Sequence, residues 1–119
     1  RCCLPAEALT RLLDEAGEND EGGILAVPVA DTLKRSDGSH HIDETVARAG
    51  LWQAQTPQLF QTALLHRALS VDDLSEITDE ASAVEKLGIR PRLVQGDTRN
   101  LKLTLPQDEY IVRLLLKAV

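Results

Sequence analysis

The sequence has 119 residues and a mass of 13.0 kDa, the size of one packed core or of part of one. With 43% hydrophobic and 27% charged residues it falls in the globular range, which excludes a disordered tail or a fibrous repeat. A net charge of −6 weighs against nucleic acid as a partner, and no apolar run nears the ~20 residues of a membrane span, so no membrane partner is expected.

The chain opens on Arg1 and contains no Met, so a preceding segment is expected. Its opening residues lack the basic-then-apolar run of a secretory leader. Cys2 and Cys3 are adjacent, with Cα atoms ~3.8 Å apart, too close for a relaxed disulfide. We read them as free thiols in a reducing, cytoplasmic setting, packed as small hydrophobes. Without a nearby His or further Cys they make no zinc site.

Residues 5–16 read as an amphipathic helix with Pro5 at its first position, Leu9, Leu12, Leu13 and Ala16 on one stripe, and Gly17 at its end. Residues 23–29 are a short continuous apolar run, the pattern of a strand covered on both faces, with Pro28 marking an edge or an end. Residues 31–35 and 41–48 flank the turn signal Asp37-Gly38 and predict a two-stranded arm. Such a hairpin is marginal by itself in water, so it should lie on something else, with another subunit the natural candidate.

Residues 51–56 are extended up to Pro57, with Trp52 as a packing anchor, and the spacing of Leu59, Ala63, Leu64, Ala68 and Leu69 predicts a helix over 59–69. Residues 77–88 predict a helix capped by Thr78, with Asp79 and Glu80 in its first turn and Gly88 at its end. Short strands are expected over 91–95 and 101–104, and Pro106 opens a last helix with Leu114, Leu115 and Val119 apolar. Helices alternating with strands give an α/β class. Only about three strands can form sheet core, fewer than the five or six of a mean sheet, so the sheet looks cut.

The chain carries no Gly-rich phosphate loop, metal-ligand cluster or nucleophile elbow. His40, His41 and His66 have no metal spacing and read as surface or loop residues. What remains is a set of basic and hydroxyl side chains at strand ends and loops: Arg1, Thr32, Lys34, Arg35, Arg48, Thr56, Thr78 and Lys102. Together these could bind phosphate.

Four ordered segments, residues 22–34, 50–58, 77–82 and 96–102, carry a resemblance. They include Gly22-Gly23-Ile24-Leu25-Ala26-Val27-Pro28-Val29, Gln55-Thr56-Pro57-Gln58, Thr78-Asp79-Glu80-Ala81-Ser82 and Asn100-Leu101-Lys102. In this order they resemble the second half of the 2-C-methyl-D-erythritol 4-phosphate cytidylyltransferase family. The resemblance implies the C-terminal part of one nucleotidyltransferase domain over 1–119: a partial Rossmann-like sheet with helices on both faces and a projecting β-arm. It implies that the arm, 31–48, builds a homodimer, and that the Gly-rich CTP loop precedes Arg1.

The implied reaction is attack by a phosphate oxygen of methylerythritol phosphate on the α-phosphorus of CTP, with pyrophosphate leaving. The implied cofactor is Mg²⁺, with its ligand upstream of Arg1. Residue by residue, Arg1 resembles the closing Arg of the family's Asp-Ala-Ala-Arg motif, on the nucleotide side. Lys102 resembles the catalytic lysine facing the α-phosphate; taken alone it would read as an exposed strand lysine. Thr32, Arg48, Thr56 and Thr78 resemble contacts to methylerythritol phosphate, those from the arm reaching the partner subunit's site. Thr78 would then serve twice, since a helix start it caps at ~1 kcal/mol also favours an anion. Two alternatives stand beside this reading: a ribitol-5-phosphate cytidylyltransferase, and a non-catalytic dimerisation fragment if the chain truly starts at Arg1.

Overall fold

The structure, a computed structural model, describes residues 3–70 and 79–117. The expectations for Arg1, Cys2, Thr78 and Val119 lie outside the described residues. Cys3 is a free, half-buried thiol. The elements in chain order are α1 (Ala6–Ala16), β1 (Gly23–Pro28), β2 (Leu33–Ser36), β3 (Ile42–Val46), β4 (Trp52–Leu59), α2 (Thr62–Leu69), α3 (Glu80–Glu85), β5 (Arg92–Gln95) and α4 (Asp108–Lys117).

The apolar run 23–29 becomes the middle of a three-stranded sheet ordered β4-β1-β5, antiparallel to β4 and parallel to β5. Its alternating side chains serve two cores. Leu25 packs with Val94 against Ala8, Leu12 and Ala16 of α1. Ile24 and Ala26 face the other way, onto Ala81 of α3 and Phe60. Behind α3, Ala83 and Val84 meet Leu64 and Ala68 of α2. Helices therefore cover both faces, as the α/β reading requires.

The buried stripe of α1 is Ala8, Leu12 and Ala16: Leu12 and Ala16 of the expected stripe are buried, whereas Leu9 and Leu13 are exposed and Ala8 joins the core instead, so the helix is rotated from that reading. Small residues decide this rotation. A side chain on Gly23 would strike the Cβ of Ala16, so the helix rests almost directly on strand backbone there. Pro5 takes the N-cap position of α1, one residue before its first turn.

β4 departs most from its pattern. It does not stop at Pro57 but runs to Leu59, which pairs with Gly23, and so takes Leu59 from the expected helix; α2 begins only at Thr62. Between the pairs Ile24↔Gln58 and Ala26↔Ala54, Gln55, Thr56 and Pro57 stand opposite Leu25 alone, so β4 bulges. Proline is tolerated at such a bulge because no ladder donor is needed from it. The Thr56-Pro57 peptide is cis. Trp52 pairs with Pro28 at the open end of the sheet and is exposed, not the buried anchor expected.

The arm forms as β2 paired antiparallel with β3, a sheet separate from the main one. An Arg35–Glu44 ion pair at 2.7 Å and a Lys34 Nζ to Thr45 Oγ1 hydrogen bond at 2.8 Å cross it. At its tip the Asp37 carboxylate accepts the Ser39 and His41 backbone N–H groups, and the Ser39 N–H above all holds the Asp37 pKa below the usual range.

α3 is capped by Asp79: the Asp79 carboxylate accepts the Ser82 N–H at 2.8 Å, and the Ser82 hydroxyl accepts the Asp79 N–H at 3.1 Å. Burial raises the Asp79 pKa, but bonds from Gln58 and Ser82 outweigh it and the net shift is downward. Residues 101–104 are not a strand, since none of the described residues offers them a ladder. α4 starts at Asp108, two residues after Pro106, where the Asp108 carboxylate accepts the Leu105 N–H at 2.9 Å.

The rotation of α1 has a measurable consequence. Leu12→Ala should lower the unfolding free energy by about 3 kcal/mol, whereas Leu13→Ala should stay within about 0.5 kcal/mol, both read from urea unfolding. Equal losses would place Leu13 in the core and reject the stripe described here.

Candidate functional site

Parallel strands leave their carboxyl ends side by side, the usual place for a ligand in an open α/β sheet. Here those ends are Val27 and Pro28 of β1 and Gln95 of β5, followed by Gly96. Two adjoining cavities open there and share Val27 and Thr98. The first, about 460 Å³, runs past Pro28, Ala30, Gly96 and Asp97. The second, about 410 Å³, runs past Gln53, Gln55, Asn100 and Lys102.

Gly96 makes the junction close. Its N–H donates to the Ala26 carbonyl at 2.8 Å, and a side chain on it would strike Gln55 Oε1. The loop beyond it is held by side chains. Gln55, buried by the β4 bulge, donates through Nε2 to the Asp97 carbonyl at 3.1 Å. Asn100, at 1% exposure, donates through Nδ2 to the Thr56 carbonyl at 2.7 Å and to Gln55 Oε1 at 3.3 Å. Arg11 reaches from α1 to the carbonyls of Gln95, at 3.0 Å, and Gly96, at 3.4 Å.

Within the loop, the Asp97 carboxylate is gripped by Arg99: Nη2 to Oδ2 at 2.8 Å, Nε to Oδ1 at 2.9 Å and the backbone N–H to Oδ1 at 2.8 Å. The Arg99 side-chain bond is the main cause of an Asp97 pKa brought down to about 2, with its backbone N–H next. The pair neutralises the one acid that lines the first cavity.

The residues singled out in the sequence fall into two groups. Lys102 lines the second cavity, and Thr56, exposed on the bulge, is tied through its carbonyl to Asn100 two residues before Lys102. Thr32 and Arg48 line neither cavity. They stand at the base of the arm, where the Arg48 guanidinium donates to the carbonyl of Ala30, a wall residue of the first cavity. Arg1 and Thr78 lie outside the described residues. Lys34 and Arg35 are spent on cross-strand bonds within the arm.

The sequence reading passed over three amides. Besides Gln55 and Asn100, Gln58 accepts the Ala81 N–H at 3.0 Å and donates to the Asp79 carboxylate at 2.9 Å, so it ties β4 to the start of α3. An amide has no hydrophobic period, and the available signal was a pair of glutamines three apart around Pro57. Among the described residues no three His, Cys, Asp or Glu side chains converge as metal ligands.

Compared with known proteins, residues 1–118 match the family described as IspD, 2-C-methyl-D-erythritol 4-phosphate cytidylyltransferase. The chain is 74% identical over 119 residues to the protein of that name from Neisseria gonorrhoeae strain NCCP11945, covering all of this chain and 52% of the relative. It superposes with a TM-score of 0.92 on a crystal structure of 4-diphosphocytidyl-2C-methyl-D-erythritol synthase, at 73% identity, covering 98% of this chain and 53% of the other. A Thermus thermophilus 2-C-methyl-D-erythritol 4-phosphate cytidylyltransferase superposes with a TM-score of 0.85 at 31% identity, covering 96% and 56%. The chain thus spans about half the length of the curated relatives it matches.

The Asp97–Arg99 pair predicts an acid dependence. A carboxylate with a depressed folded pKa stabilises the fold above its unfolded pKa of about 3.9, and that contribution fades as pH falls through about 2. Asp97→Asn should therefore lower the urea midpoint at pH 6, and the gap to the parent should close between about pH 4 and pH 2. A gap that stays constant to pH 2 would show that ionisation of Asp97 contributes nothing.

Proposed function

The chain belongs to the 2-C-methyl-D-erythritol 4-phosphate cytidylyltransferase family, and we propose that, at family length, it transfers the cytidylyl group of CTP to 2-C-methyl-D-erythritol 4-phosphate in isoprenoid biosynthesis. One observation carries this reading: Lys102 lines a cavity at the carboxyl ends of β1 and β5, on a loop tied to Thr56 of β4. A phosphate oxygen of the acceptor forms a bond to the α-phosphorus. The bond from that phosphorus to the oxygen bridging the α- and β-phosphates breaks, and pyrophosphate leaves with its electron pair.

Such a transfer needs two anions aligned and spreading negative charge stabilised more than it needs acid-base chemistry. In our reading Lys102 is the catalytic cation at the α-phosphate, and Arg1 joins it on the nucleotide. Thr56 and Thr78 hold the acceptor phosphate from one subunit, and Thr32 and Arg48 reach it from the arm of a partner. The projecting, almost wholly exposed hairpin supports a homodimer built through 31–48. We place the protein in the cytoplasm; among the described residues no helix is long and apolar enough to cross a membrane.

The described residues do not make a magnesium cage, and Asp97 is already taken by Arg99. We assign the Mg²⁺ ligand and the CTP loop to the half of the family's length that this chain does not cover, and route no step through the metal. The ribitol-phosphate alternative draws no support from the relatives described above, which carry the methylerythritol name.

Steady-state kinetics in a chain of the relatives' full length that carries this segment separates the roles. Arg48→Ala should raise KM for methylerythritol phosphate about tenfold and leave KM for CTP within twofold. Lys102→Ala should instead lower kcat by about a hundredfold or more. Unchanged acceptor kinetics in the first variant, or full turnover in the second, would reject the corresponding assignment.

A further inference from the structure

Resting on the placement of Lys102 at the nucleotide, we propose that Asn100 is a positioning residue for the transfer, setting the distance between Lys102 and the acceptor site on β4. Asn100 is the most deeply buried polar side chain among the described residues, and it lies two residues before Lys102. Its Nδ2 donates to the Thr56 carbonyl at 2.7 Å and to Gln55 Oε1 at 3.3 Å. Gln55 returns to the start of the same loop through the Asp97 carbonyl at 3.1 Å. Both ends of loop 97–100 are thereby fastened to the β4 bulge.

Backbone pairing does not do this work. Residues 101–104 form no strand, and the local turn bonds, Asn100 N–H to the Asp97 carbonyl at 3.0 Å and Leu101 N–H to the Arg99 carbonyl at 2.9 Å, stay inside the loop. The Asp97–Arg99 pair is likewise internal to the loop. Among the bonds described, the amides of Gln55 and Asn100 cross between β4 and the loop, so they fix where the chain leaves for Lys102. One of them holds the backbone of Thr56, on which the acceptor is proposed to sit. The spacing between the two reactants is therefore referred to this buried amide pair, of which Asn100 is the member that holds Thr56. An error of about 1 Å in such spacing can cost as much as 10²-fold in rate.

The test is a double-mutant cycle in a chain of the relatives' full length carrying this segment. Asn100→Ala should lower kcat at least tenfold while KM for CTP stays within threefold. In a Lys102→Ala background, with the residual rate followed over long incubations with α-labelled CTP, the same substitution should cost less than twofold, because its effect is spent through Lys102. A structural role would instead lower the thermal midpoint and the active fraction, with the same factor in both backgrounds. That outcome, at a full loss for Lys102→Ala alone, would overturn this inference and leave the functional reading intact. Full turnover in Lys102→Ala would overturn the nucleotide assignment first, and this inference with it. Should Asn100→Ala fail to fold, Gln55→Met, which keeps the volume and removes the amide, carries the same cycle with the same two outcomes.

Discussion

Everything in this chain hangs on the burial of β1 from both sides. Its short apolar run must satisfy two layers at once: Leu25 looks toward α1, while Ile24 and Ala26 look toward α3 and Phe60. Burying side chains of this size stabilises by roughly 1.5–3 kcal/mol each, so a strand shared by two cores is costly to shift in register. Its carboxyl end is thereby fixed, and with it the walls of both cavities, since Val27 lines each of them. The site inherits its precision from a strand that contributes no polar side chain to it.

The second constraint is that β4 is longer than the strand it pairs with. Three residues must stand where β1 has one, and the excess is absorbed in a bulge over Gln55, Thr56 and Pro57. A bulge re-aims side chains as well as backbone. Gln55 goes into the loop after β5, and Gln58, just past the bulge, goes to the first turn of α3. One irregular strand thus organises two segments that are distant in sequence, 79–82 and 97–100. Neither segment is held to the other by a bond of its own among those described; both are referred to β4.

Much of this was legible in the sequence where burial writes a period. The apolar run of β1, the helix opened by Pro5 and the arm around Asp37-Gly38 were each readable, because hydrophobic spacing and turn chemistry are local. What was not readable is what depends on a partner. Leu59 looks helical by spacing, yet Gly23 claims it for the sheet. Leu101 and Leu103 alternate like a strand, yet no described neighbour pairs with them. The α1 stripe turned on two alanines because the opposing glycine has no side chain, a fact about the facing surface and not about the helix. For the candidate site, Lys102 was singled out by ordered resemblance and lines the second cavity, whereas the amides that hold its loop carried no pattern that spacing could expose.

The same geometry separates the charge at the strand ends from the charge of the whole chain. A net charge of −6 is a long-range quantity, screened beyond about 8 Å at physiological salt, while a phosphate group feels what lies within a few ångströms. Asp97 is the acid on the first cavity's wall, and Arg99 cancels it at 2.8 Å. Lys102 adds a positive charge to the second cavity's wall, and Arg48 is docked through its guanidinium onto Ala30 of the first. The two cavities share Val27 and Thr98, and Lys102 is the cation on the wall of the second. The acid on the first cavity's wall is thus neutralised by its own neighbour, whatever the overall charge of the chain.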